Sequence, residues 1–180
     1  MNNTRFLALI CAASLPVGAQ ALDLAPRGAF LEGGIAEHGA YSATVGVSWP
    51  WAWRGAMFGG ELTAATEAFA SHWSCRCTGA PVTFTQVGLV PLLRYRFSAG
   101  RSDWFMEAGI GISLTDRTYR TDEKQFSTRF NFVDVAGVGR SFGAQRRQEI
   151  SLRIAHISNA SIKKPNPGEN FLQLRYAALF

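Results

Sequence analysis

From about residue 28 onward, apolar residues and small or polar residues exchange places at every second position. That period sends alternate side chains to opposite faces of an extended chain, so it predicts strands. Between 41 and 49, Tyr41, Ala43, Val45, Val47 and Trp49 alternate with Ser42, Thr44, Gly46 and Ser48. Between 104 and 114, Trp104, Met106, Ala108, Ile110, Ile112 and Leu114 alternate with Phe105, Glu107, Gly109, Gly111 and Ser113. The last nine residues repeat the pattern through Leu172, Leu174, Tyr176, Ala178 and Phe180. Segments near 28–38, 56–68, 84–97, 129–141 and 148–158 bring the count to eight, each bounded by Gly, Pro, Asp or Ser. Eight strands suffice to close a small barrel.

A period of two does not by itself say whether the apolar face points into the barrel or out toward lipid. Loop lengths separate the two. The connections near 50–55, 98–102 and 142–147 are short, while those near 69–83, 115–128 and 159–168 are long, and only the short first hairpin near Glu37–Ala40 breaks the alternation. Outer-membrane barrels carry short periplasmic turns and longer external loops. Trp49, Trp51, Trp53, Tyr95, Phe97, Trp104, Phe142 and Phe180 gather at the short-turn end, as an interfacial girdle would. The terminal Phe180 closing an alternating strand resembles the C-terminal signature of Gram-negative outer-membrane barrels. The expected fold is all-β, an eight-stranded antiparallel transmembrane β-barrel.

Composition narrows the field further. Of 180 residues, 47% are hydrophobic and 17% charged, with mean hydropathy +0.02. This excludes a disordered chain and a helical membrane protein. The longest apolar stretch, Phe6 to Ala19, follows Arg5, is broken by Pro16 and ends in Ala19-Gln20-Ala21, the layout of a secretory signal peptide. Residues 1–21 are therefore expected to be a leader and 22–180 the barrel domain. Cys11 follows Ile10, which is too large for a lipoprotein signal. Cys75 and Cys77 could close a strained disulfide in an oxidising compartment and do not define a metal site. Loss of Arg5 with the leader lowers the formal charge of +5 by one, a mild basic excess that suits an anionic membrane surface. The basic residues are scattered, so nucleic acid is not an expected partner.

The stretch with a mechanism is Arg153 to Ala160, followed by Pro165-Asn166-Pro167-Gly168-Glu169-Asn170. His156 and Ser158 stand two apart on one strand and share a face, with Cβ atoms roughly 7 Å apart, so the imidazole can bend toward the hydroxyl and act as its base. Ile150, Leu152 and Ile154 share that face. If it meets lipid, so does the site, and with both termini periplasmic this strand ends in the outer leaflet, where lipopolysaccharide resides. Glu169 returns after the Asn-Pro-Gly turn and is expected beside His156 as the acid of a triad. Asn159 and Asn166 offer amide donors for an oxyanion. Glu149 is a rival acid, ranked lower because it shares the opposite face with Ser151 and Arg153.

This hairpin and the C-terminal Phe resemble the PagL family of lipid A 3-O-deacylases across the whole mature chain, the family's His-x-Ser-Asn motif matching His156, Ser158 and Asn159. The resemblance implies an outer-membrane enzyme that hydrolyses the ester-linked hydroxyacyl chain at position 3 of lipid A. It further implies Ser158 as nucleophile, His156 as base, Glu169 as orienting acid, and Asn159 and Asn166 at the oxyanion. No metal or organic cofactor is implied. The rival classes are a non-enzymatic barrel that stabilises the envelope or adheres through its loops, and a lipid A acyltransferase.

Other candidates read more simply. Gly139-Arg140-Ser141-Phe142-Gly143 matches a nucleophile elbow only formally, because no helix follows it. Asn159-Ala160-Ser161 forms a glycosylation sequon better explained as part of the site loop. His38 and His72 are expected to be solvated near the external loops. Glu61, Arg94, Arg96, Glu107, Arg153 and Arg175 are expected to pair inside the barrel. Lys163 and Lys164 stand in the last long loop, either solvated or facing lipid A phosphates.

Overall fold

The computed structural model describes residues 25–76 and 81–180. The expected leader and Cys77 lie outside these residues. Eight strands run in chain order: β1 (Gly28–Ala36), β2 (Ala40–Met57), β3 (Gly60–Arg76), β4 (Pro81–Arg96), β5 (Trp104–Thr115), β6 (Phe130–Phe142), β7 (Gln148–Ser158) and β8 (Glu169–Leu179). Each pairs antiparallel with the next, and β1 pairs antiparallel with β8 to close the barrel.

The alternation seen in the sequence sorts the side chains, and the apolar set points outward. Leu31, Ile35, Val45, Leu93, Ile110, Ile154 and Leu174 are each more than half exposed. A continuous apolar belt of this kind would be intolerable in water and is what a strand barrel presents to lipid. The polar set points inward, and its central charges are paired. Arg153 donates to Glu107 at 2.7 Å and to Glu67 at 2.9 Å. Arg94 bridges Glu107 and Glu149 at 2.8 and 2.7 Å, and Arg175 pairs with Glu67. Buried charges are tolerable only when matched in this way. Above the ionic layer, toward the end that carries the 159–168 loop, Trp73, Phe84, Tyr119, Phe126 and Phe171 fill the lumen with edge and tilted ring contacts. Tyr119 and Phe126 belong to the 116–129 loop, which is thereby anchored inside the barrel.

Two expected connections are corrected. The turn placed near 50–55 is strand: a register shift between Pro50 and Arg54 absorbs the proline, and β2 continues to Met57, so that the chain reverses at Phe58 and Gly59. A bulge allows this because a proline lacking an N–H need not interrupt a strand where the ladder is already broken. The loop placed at 69–83 is mostly paired β3 and β4, which run on to Arg76 and from Pro81. Ser71 and Trp73 explain the extension, since both turn inward, where Trp73 Nε1 donates to Ser71 Oγ at 3.1 Å. One end of the barrel thus carries the connections at 37–39, 116–129 and 159–168, together with the last residues of β3 and the first of β4. The other carries both termini of the barrel and the tight turns at 58–59, 97–103 and 143–147.

Candidate active site

The site lies where β7 and β8 end in the 159–168 loop. On β7, Glu149, Ser151, Arg153, Ala155 and Ile157 are buried in the lumen, and Ile150, Leu152 and Ile154 are exposed on the belt. His156 continues the outward series and is half-buried, and Ser158, two residues on, is 8% exposed. The structure therefore keeps the two residues on one face, with the serine hydroxyl covered. The backbone N–H of Ala160 points at Ser158 Oγ from 3.4 Å. Ala160 and Ser161 both adopt left-handed backbone, φ 51° and 61°, which turns the chain sharply over the serine.

Glu169 is not beside His156. In the β7–β8 register the partner of His156 is Asn170, and Glu169 pairs with Ile157, which puts the carboxylate on the inner face. There it is 1% exposed and accepts from Tyr119 Oη at 2.8 Å and from Lys124 Nζ at 2.8 Å. The residue on the outward face is Asn170, whose Oδ1 lies 2.7 Å from His156 Nδ1. A side-chain carbonyl can only accept, so this contact places the proton on Nδ1 and leaves Nε2 with its lone pair free to take a proton. The amide thus orients the ring and selects its tautomer as a carboxylate would, without contributing charge. Position alone overturned the expectation: a shift of one residue in a strand changes the face.

Gly168 completes the imidazole's seat. It has φ 70°, and a Cβ placed there would stand 2.6 Å from His156 Cε1 and 3.3 Å from Nε2. Backbone conformation and ring contact both require glycine here. The sequence placed Gly168 and Asn170 in the same stretch but gave neither a role at the imidazole. The available signal was the His-x-Ser parity, which would have selected Asn170 once the first residue of β8 was known.

The two asparagines of the motif part company. Asn159 is 1% exposed, and its side-chain NH2 is committed to Ser127 Oγ at 2.9 Å, Thr128 Oγ1 at 3.1 Å and the Lys163 carbonyl at 2.8 Å. It ties the 116–129 and 159–168 loops together instead of offering its amide to an oxyanion as expected. Ser127 Oγ, donating to the same Lys163 carbonyl at 2.7 Å, strengthens the junction. Asn166 Oδ1 accepts the backbone N–H of Asn159 at 2.9 Å, which holds its amide next to the residue that follows the serine. Its NH2 remains the donor end.

The side chains of the other candidates take no part in this arrangement. Ser141 is wholly buried, receives Arg96 Nη2 at 2.8 Å and donates to Glu149 Oε1 at 3.0 Å, so it belongs to the ionic layer. Glu149 is occupied there too, seven residues down the strand from His156 and on the other face. His38 and His72 are exposed, and so are Lys163 and Lys164. Among the described residues no group of three or more His, Cys, Asp or Glu side chains is placed to hold a metal ion.

A covered serine with a backbone N–H directed at it and a histidine with a fixed tautomer, at the edge of an apolar belt, form an arrangement suited to acyl transfer on an amphipathic ester. Comparison with known proteins agrees. Residues 38–178 match the model of the family described as lipid A 3-O-deacylase (PagL). The lipid A deacylase PagL of Bordetella bronchiseptica is 32% identical over 97% of this chain and 92% of its own length. That of Pseudomonas aeruginosa is 30% identical over 73% of this chain and 74% of its own length. A crystal structure of the outer membrane enzyme PagL superimposes with TM-score 0.72 at 28% identity, covering 85% of this chain and 99% of that one.

Proposed function

The chain belongs to the PagL family of lipid A 3-O-deacylases, and from its site we infer that the family's ester hydrolysis runs here through Ser158, His156 and Asn170. The protein is a lipid A deacylase of the outer membrane. It removes the acyl chain esterified at position 3.

The reaction follows from what each group can donate or accept. Ser158 Oγ attacks the ester carbonyl while His156 Nε2 takes the hydroxyl proton, and Asn170 Oδ1 holds the Nδ1–H throughout. Negative charge gathers on the former carbonyl oxygen. The Ala160 N–H, already directed at Ser158, and the Asn166 NH2, fixed through its own Oδ1, are the donors placed to receive it. As the tetrahedral adduct collapses, the bond to the sugar oxygen breaks and the imidazolium returns its proton to that oxygen. Water then attacks the acyl-serine with His156 again as base, releasing the hydroxy fatty acid and regenerating the serine.

The site faces the outer leaflet in this reading. Support comes from the end of the barrel that carries the 116–129 and 159–168 loops, opposite the termini and the girdle of Trp51, Trp53 and Trp104. Exposed Lys163 and Lys164 then stand at the headgroup level, suited to the phosphates of lipid A. The observation that carries the assignment is the 2.7 Å contact between His156 Nδ1 and Asn170 Oδ1, which leaves Nε2 as the nitrogen available to serve Ser158 on the same face.

Mass spectra of lipid A from a Gram-negative host test the assignment. Expression of the wild type removes one hydroxyacyl chain, and Ser158→Ala or His156→Ala, assembled equally well, leaves lipid A intact. Deacylation by either variant would reject the nucleophile or the base. A gain of acyl mass would indicate transfer, and an unchanged spectrum with the wild type would indicate a barrel without this activity.

A further inference from the structure

Four residues form a continuous row across the outward surface: Ile110 of β5, Asp134 of β6, His156 of β7 and Asn170 of β8, each the register partner of the next. Asp134 shares its face with Phe130, Ala136 and Val138, all exposed. It is therefore a carboxylate on the lipid-facing surface, flanked by Ile110 and by the belt below. Among the described residues no arginine, lysine or histidine nitrogen comes within 4.0 Å of it to form an ion pair. A charged side chain on the outer face of a barrel is unfavourable unless the site uses it.

The catalytic histidine supplies the use. When Ser158 attacks, His156 becomes a cation, and its Nδ1 partner is a neutral amide that fixes geometry without balancing charge. Glu169 cannot balance it, because that carboxylate lies behind the sheet and is already matched by Lys124 and Tyr119. From β8 the ring is faced by Asn170, from the turn by Gly168, and from β6 by Asp134. Register partners on one face of antiparallel strands have Cβ atoms about 4.5–5.5 Å apart. Asp134 is thus a register neighbour of the ring without ion-pair contact to it, and its carboxylate acts on the cation at longer range across a partly dehydrated surface.

We propose that Asp134 is a positioning residue of the deacylation, supplying from β6 the negative charge that stabilises the His156 imidazolium while Asn170 supplies the orientation. The role usually given to one acid is divided between two strands. This rests on the assignment of His156 and Ser158 above. No bond is made or broken at Asp134, and the proton stays on the histidine until the sugar oxygen takes it.

Initial rates of lipid A deacylation by the purified full-length barrel, assembled wild type and variants, test the division. Asp134→Asn keeps size and polarity and removes the charge, and should lower kcat roughly 10- to 100-fold with KM unchanged. Asp134→Glu should keep most of the wild-type kcat. Asn170→Asp in the Asp134→Asn background should restore much of the loss, because the charge returns on the other side of the ring, a rescue that a merely structural role would not give. An unchanged kcat in Asp134→Asn, a loss expressed in KM alone, or no rescue in the double variant would each overturn the proposal. Ser158→Ala, measured alongside, separates the two levels. If it is inactive while Asp134→Asn is unimpaired, only the role of Asp134 fails, and if it is active, the underlying site fails.

Discussion

His156 Nδ1 and Asn170 Oδ1 meet at 2.7 Å across the β7–β8 ladder, while Glu169, the neighbour of Asn170 in sequence, faces the lumen and holds Lys124 at 2.8 Å. Two adjacent residues thus serve opposite sides of one sheet, one orienting the base and the other anchoring a loop.

Removing the orienting group should cost turnover and leave the barrel intact. Asn170→Ala frees the ring to rotate and to take the other tautomer, and kcat is expected to fall roughly 100-fold. Asn170→Asp presents an acceptor at the same place and should remain active. Initial rates on both variants, with folding checked by electrophoretic heat modifiability, decide this.

Glu169 should behave as a structural residue. Glu169→Gln leaves Lys124, only 12% exposed, without its closest carboxylate, at a cost of about 3 kcal/mol if the site cannot open to water. The expected result is faster proteolysis within 116–129 and a lower unfolding temperature, with kcat reduced far less than in Asn170→Ala. A catalytic acid at Glu169 would give the reverse ranking.

Gly168→Ala forces a methyl group against the imidazole in a backbone conformation that alanine resists. The ring must shift from its seat beside Asn170. We expect kcat to drop while KM holds, and any loss of stability to be about 1 kcal/mol, readable from thermal unfolding in detergent.

Asn159→Ala unties the 116–129 and 159–168 loops by removing the side-chain NH2 that donates to three acceptors. Buried polar groups that lose their partner cost about 1–3 kcal/mol. Limited proteolysis should cut the 159–168 loop faster than in the wild type. Because the same loop carries Asn166 and Ala160, deacylation should decline with it.

Much of this was legible in the chain. Strict alternation from Tyr41 to Trp49 and from Trp104 to Leu114 specified strands, and the alternation of loop lengths, not the period, pointed the apolar set outward and Glu107, Arg94 and Arg153 inside. His156 and Ser158 share a face because they are two apart, which no tertiary detail can change. What failed depended on where a strand begins. Pro50 read as a break, yet a bulge carries β2 past it. Ser71 and His72 read as loop, yet Ser71 satisfies its hydroxyl inside the lumen with Thr44 at 2.7 Å. Glu169 read as the acid because a carboxylate is the usual partner, and the register that selects Asn170 is set by the length of the loop before it. Asp134 gave no signal until its row across β5 to β8 was known.

The account stands on Ser158 as a nucleophile activated by His156. A sulfonyl fluoride directed at active-site serines tests this on the assembled wild-type barrel, with peptide mass mapping of the adduct and deacylation followed in the same sample. A single adduct on Ser158, formed in step with loss of activity and much slower in His156→Ala, is the predicted result. Full activity with Ser158 modified, or inactivation through an adduct elsewhere, would contradict it.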